Sequence, residues 1–322
     1  MNLLLWHVHG SWTTAFVSGP HRYLVPVTPE RGPYGRGRAR TYEWPSNVVE
    51  RTPEQLATDE VDLVLLQRPE ELDLAARWLR RRPGRDLPAI YVEHNTPKGD
   101  VPNSRHPMAD RDDLLIAHVT HFNELFWDTG ATRVTVVEHG IPAPRHRYSG
   151  ELRRLGIATN EPVRRDRVTG TDLMHRFAAV APLDVFGMGV AALPERLGLG
   201  PEHLRCFEDP DQDGMHAELA KRRVYLHLCR WTSLGLSLLE AMHLGMPVVA
   251  LATTEAVAAV PPDAGILSTR VDTLVEATAW LLDEPAEARR LGDRAAEVAR
   301  ARYGLDRFLN DWDRLLKEEQ CG

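Results

Sequence analysis

The chain has 322 residues, 43% of them hydrophobic and 26% charged, enough apolar side-chain surface for two cores of ordinary size. A formal net charge of −7 argues against a general nucleic-acid binder, which would be basic. The three cysteines, Cys206, Cys229 and Cys321, show no Cys-x-x-Cys spacing and give neither a disulfide framework nor a zinc site, which suits a reducing cytoplasm.

The chain opens on Met-Asn-Leu-Leu-Leu-Trp-His, a short apolar run without basic residues before it, which has the wrong flanks for a signal peptide. No stretch approaches the ~18–20 apolar residues of a spanning helix. A cytoplasmic protein is expected, with peripheral membrane contact at most. Two arginine-rich loops, residues 31–40 and 77–85, are the candidates for that contact, or are simply solvated.

Short apolar runs alternate with helical patterns, the signature of an α/β fold with parallel sheets. In chain order, strands are predicted over 2–8 and 61–66, the second a continuous apolar run suited to burial on both faces. A helix follows over 70–82, then strands over 90–93 and 113–119, a helix over 121–129 closed by Gly130, and a strand over 134–138. Residues 141–150, with two prolines, a glycine and no periodicity, read as a linker. The alternation then restarts: a helix near 172–180, a strand over 183–186, a helix near 215–221 and a strand over 224–228. Another helix begins near Leu236, a strand covers 247–251, and helices run from Val271 to the end. The expected architecture is two Rossmann-like domains facing each other across a central cleft: residues 1–145 and 146–302, with a final helix over 303–322 packing back on the first.

The most informative run is Arg230-Trp-Thr-Ser-Leu-Gly-Leu-Ser-Leu-Leu-Glu-Ala-Met-His-Leu-Gly-Met-Pro-Val-Val-Ala250. A strand ends, a loop turns at Gly235 and a helix begins, whose amino end offers unpaired N–H groups and positive partial charge to a diphosphate. Glu240 lies about 7 Å further along that helix, the order of separation between a diphosphate and the ribose of the same nucleotide. Its carboxylate can accept from both ribose hydroxyls. Ser237, three positions earlier, shares its helix face.

This run resembles the signature of the family-4 retaining glycosyltransferases of GT-B fold, in which a Glu, seven residues and a second Glu precede Ala-Met and Gly-x-Pro-Val-Val. The resemblance puts Glu240 on the donor ribose. It places further donor contacts along Thr232, Ser233, Leu234, Gly235, Leu236 and Ser237. The first Glu, which reads sugar hydroxyls, is replaced by Thr232. Residues 164–173 are similar to the family's Gly-Arg-Leu…Lys-Gly-x-Asp-Leu segment, whose cations neutralise the departing diphosphate. Arg164 takes the Arg place as a catalytic residue, with Arg165 and Arg167 as alternates, and Thr169 stands where Lys is expected. Leu183–Gly189 resembles the strand and turn against the nucleotide base, with Gly187 a donor contact. His139-Gly140 resembles the Asn-Gly before the linker, again on the donor side. His94 holds the place of a histidine that reaches the donor sugar.

The amino-terminal loop departs from the family's Gly-Gly turn: Gly10 and Ser11 remain as backbone donors to the phosphates, and Trp12 as an acceptor platform. His7 and His9, two apart on an expected strand, form at best a weak metal pair. Asp209–Asp213 reads as a solvated acidic loop, so no metal or other cofactor is expected. The resemblance implies a retaining, metal-independent enzyme moving a sugar from a nucleotide, UDP-linked before GDP-linked, to an acceptor hydroxyl. The rival readings are a nucleotide-sugar epimerase or hydrolase and a non-catalytic sugar-nucleotide-binding protein. Acceptor and oligomeric state are left open.

Overall fold

The computed structural model describes residues 1–321. The chain divides into two compact units: Met1–Gly140 with the stretch from Leu305 onward, and Ile141–Gly304.

The first unit is built on β1 (Asn2–Leu5), β2 (Arg22–Pro26), β3 (Val48–Arg51), β4 (Leu63–Leu66), β5 (Ala89–Glu93), β6 (Leu115–His118) and β7 (Arg133–Val136). They form one 7-stranded parallel sheet in the order β3-β2-β1-β4-β5-β6-β7. Its helices are α1 (Gly10–Phe16), α2 (Pro53–Leu56), α3 (Glu70–Leu79) and α4 (His121–Phe126). One face of the sheet packs Leu4, Val64, Leu66 and Ile116 against Ala75 and Leu79 of α3. Residues 10–16 are helical where a loop was expected, and β1 ends at Leu5 instead of Val8, which leaves His7 and His9 outside the strand.

The second unit repeats the plan. Its strands are β8 (Leu152–Ala158), β9 (Leu183–Gly187), β10 (Leu204–Glu208), β11 (Arg222–His227), β12 (Val248–Leu251) and β13 (Ile266–Ser268). They form a 6-stranded parallel sheet in the order β10-β9-β8-β11-β12-β13. Its helices are α5 (Pro162–Arg165), α6 (Met174–Ala178), α7 (Leu193–Leu197), α8 (Gln212–Leu219), α9 (Leu236–Leu244), α10 (Ala256–Ala259), α11 (Val271–Asp283) and α12 (Pro285–Tyr303). Along β11 the two-residue period sends Val224 and Leu226 into one core and Tyr225 into the other. The last helix, α13 (Leu305–Cys321), belongs to the first unit, where Trp312 meets Trp12 and Phe16 of α1.

Both sheets have strand orders that reverse once, between β1 and β4 and between β8 and β11. In open α/β sheets, ligands bind outside the carboxyl ends of the strands at that reversal. In the second unit this selects the loops after β8 and β11; in the first, the loops after β1 and β4. Among the described residues no helix is long and apolar enough to cross a membrane.

Candidate functional site

The loop after β11 delivers the chain to α9. Gly235, its N-cap, is extended at φ −66 and ψ 117 and makes no side-chain cap, so no cap side chain occupies the helix's leading N–H groups. A side chain at position 235 would come within 2.4 Å of His227 Cε1, and this close approach demands glycine. Burial pushes the His227 imidazole down to about 4, so it stays neutral beneath the loop. Leu234 and Ser233 are buried, Leu234 in the apolar core. The Ser237 hydroxyl donates to the Ala158 carbonyl at 3.1 Å and accepts from Tyr225 Oη at 3.0 Å. That hydroxyl staples α9 to β8.

Glu240 is only 3% exposed. Gln212 Nε2 of α8 donates to its Oε1 at 2.9 Å, and His216 Nε2 stands 3.6 Å from its Oε2. The acidic turn before α8 has a local role, since Asp211 accepts from Gly214 N at 2.8 Å and caps the helix.

The basic segment lies at the carboxyl end of β8. Arg164 is 72% exposed and pairs with Glu161 at 3.5 Å. Arg165 lies near enough to Cys229, in the loop after β11, for its charge to favour the thiolate against the burial that raises that thiol to about 11. Arg167 and Arg230 share Asp172, at 2.9 Å and 2.6 Å, and Arg230 also donates to the Arg167 carbonyl. These bonds lock the segment to the motif loop. Thr169 is buried, and its hydroxyl donates to the Asp166 carbonyl at 3.0 Å and lies 3.1 Å from Thr171 Oγ1. Gly187 ends β9 at φ +134, where a side chain would be strained and would strike the Thr159 carbonyl. This turn exposes Met188, and Glu208 accepts from the N–H groups of Gly189 and Ala191.

In the first unit, a side chain at Gly10 would meet the Tyr42 ring, and the Ser11 hydroxyl lies 3.1 Å from Tyr42 Oη. Trp12 is corrected as an acceptor platform: it is 1% exposed, stacks on Phe16 at 5.0 Å and packs edge-on against Trp312. His7 and His9 have different neighbours. His7 Nδ1 lies 3.3 Å from the Gly37 carbonyl, while His9 sits 4.1 Å from His94, centroid to centroid. His94, His9 and His139 form an electrostatically linked group. Burial holds His9 at about 4, His139 at about 3 and His94 well below its ordinary value. His94 Nε2 and His139 Nδ1 are buried without a hydrogen-bond partner. Gly140 is packed against Phe308 of α13, where any side chain would clash.

Residues 192–298 match the family model "Glycosyl transferases group 1". No curated protein matches the chain. Among solved structures, sucrose-phosphate synthase from Thermosynechococcus elongatus is similar with a TM-score of 0.76 at 14% identity, over 98% of each chain. HepE from Anabaena, solved with UDP and glucose, has a TM-score of 0.71 at 14% identity, over 99% of this chain and 100% of that one. A glycosyltransferase from Rickettsia africae has a TM-score of 0.69 at 11% identity, over 99% and 98%. The fold is GT-B.

Within that fold, the loops after β8 and β11 carry Arg165, Arg167 and Arg230, the last two joined through Asp172. Several neighbours of this site carried no sequence signal. Thr253 donates to the Cys229 carbonyl at 2.8 Å, and Glu255 N donates to the Ser233 carbonyl at 3.4 Å. Between them Thr254 sits at φ +48, an uncommon conformation for a β-branched residue and one that clusters at functional loops. In the first unit, Glu93 accepts from Asn95 N at 2.6 Å and pairs with His106 Nε2 at 3.0 Å, fixing the turn that carries His94.

Proposed function

We propose that the chain is a retaining glycosyltransferase that takes its sugar from a UDP-linked donor without a metal. One observation carries the reading: the stretch matching the glycosyltransferase family model contains α9, with its uncapped amino end and, four residues on, the buried Glu240. The α9 N–H groups and Arg165 take the diphosphate, and Glu240 takes the ribose. UDP is favoured because HepE, the similar fold above, was solved with UDP and glucose.

Arg165 is preferred to Arg164 because it lies beside the motif loop while Arg164 is paired with Glu161. In the reaction the glycosidic bond to the diphosphate breaks through an oxocarbenium-like transition state. The leaving diphosphate accepts the proton of the acceptor hydroxyl, which bonds to the anomeric carbon on the same face. His94, held neutral by burial, is the residue that the resemblance assigns to a hydrogen bond with the sugar.

The test is a panel of sugar nucleotides assayed with and without candidate acceptors, with products analysed for anomeric configuration. Transfer with retention is expected. Donor turnover without any acceptor would favour an epimerase or hydrolase, and nucleotide binding without turnover would leave a binding protein.

A further inference from the structure

The carboxylate of Glu240 is unusual in being held from a neighbouring helix before any nucleotide arrives. Gln212, at the first turn of α8, donates its amide N–H to Oε1 at 2.9 Å. The same amide also carries an oxygen able to accept a hydrogen bond. His216, one turn further along α8, brings Nε2 to 3.6 Å from Oε2, too long for a hydrogen bond. This nitrogen is buried, has no hydrogen-bond partner, and belongs to a residue 5% exposed. A buried polar atom without a partner is costly, and a ligand hydroxyl placed there would supply the missing partner.

Beside the carboxylate of Glu240 stand the Gln212 amide and the His216 imidazole nitrogen, a set of donors and acceptors. A vicinal diol has two O–H donors and two acceptor oxygens, which matches that set. We propose that Gln212 and His216 are specificity-determining residues of the donor site. With Glu240 they read the 2′,3′-diol of a ribonucleotide and reject the 2′-deoxy form. This inference rests on the donor-site reading above and extends it to α8, which carries none of the motif.

The experiment titrates UDP and 2′-deoxy-UDP into the wild-type chain and into Gln212→Ala, His216→Leu, His216→Gln and Glu240→Ala, with a melting curve for each variant. The wild type is expected to prefer UDP by at least about tenfold, since loss of one hydroxyl strands buried polar atoms. Gln212→Ala and His216→Leu should each weaken UDP several-fold while leaving 2′-deoxy-UDP nearly unchanged, so that the preference narrows. His216→Gln, which keeps a donor at similar reach, should retain it. Gln212 is half-buried at the start of α8, so its variant reports even if His216→Leu melts early. Equal losses for both nucleotides, or no loss for either, would overturn the role of α8. If UDP affinity falls in Glu240→Ala but not in the α8 variants, only this inference fails; if Glu240→Ala binds UDP like the wild type, the donor site fails with it.

Discussion

The proposed function puts Thr232 where the family that the motif resembles carries an acidic residue reading sugar hydroxyls. A neutral hydroxyl there suits a donor with a different hydroxyl pattern, a deoxy sugar among them. Thr232→Glu should change the preference among sugar nucleotides while leaving affinity for UDP itself nearly constant, because Glu240 still holds the ribose. Paired titrations with UDP and several UDP-sugars check this, and equal shifts for every ligand would show that position 232 does not face the sugar. A second residue-scale contrast separates two adjacent arginines. Arg165→Ala should lower kcat by about a hundredfold, the scale for removing one group that stabilises developing charge. Arg164→Ala, which removes an exposed pair with Glu161, should change it little. The reverse ranking would return the leaving-group role to Arg164.

At the scale of elements, Ser237 gives a clean separation of structure from binding. Its hydroxyl joins α9 to the carboxyl end of β8 and also accepts from Tyr225. Ser237→Ala should cost about 1–2 kcal/mol of stability in denaturant unfolding, with UDP affinity retained. Lost affinity at unchanged stability would move the hydroxyl into the ligand site. The start of α9 at Leu236 was legible because a glycine, an apolar period and the resemblance all fell on the same residues. β4 was legible because burial on both faces leaves an unbroken apolar run. β8, central to its sheet, was missed because Arg153 and Arg154 interrupt it. Their guanidinium groups pair with Asp283 and Asp184, partners distant in sequence. β3, Val48–Arg51, ends on charged residues, and β2 ends on a proline, so neither showed the continuous pattern of an inner strand. α1 was read as a loop because Gly10-Ser11 opens it. Its helical state follows from packing Trp12 and Phe16 on Trp312, a contact with the far end of the chain.

For the molecule as a whole, buried neutral histidines contribute to the response to acid. In the unfolded chain these imidazoles titrate near pH 6.5. In the fold His9 is lowered to about 4 and His139 to about 3 by burial, with the charges of Arg68 and Arg307 respectively adding to the effect. Above pH 6.5 neither state binds the protons and stability is unaffected. As pH falls below 6.5 only the unfolded chain gains them, so stability drops progressively to about pH 4 for His9 and about pH 3 for His139. His139→Asn should flatten the fall of Tm between pH 6.5 and 4, and an unchanged slope would show that this cluster does not set acid stability. Turnover is expected to persist in excess EDTA; loss of activity restored by magnesium or manganese would contradict a metal-free reaction.

The central claim is that α9 and Glu240 form the nucleotide half of a glycosyltransferase donor site. Its most direct test is calorimetric titration of UDP into the wild-type chain and into Glu240→Ala. The expected result is saturable one-to-one binding that weakens in the variant by about 1.5–3 kcal/mol, the scale of hydrogen bonds to a charged group. Binding of equal strength in both proteins, or no binding of UDP to the wild type, would contradict it.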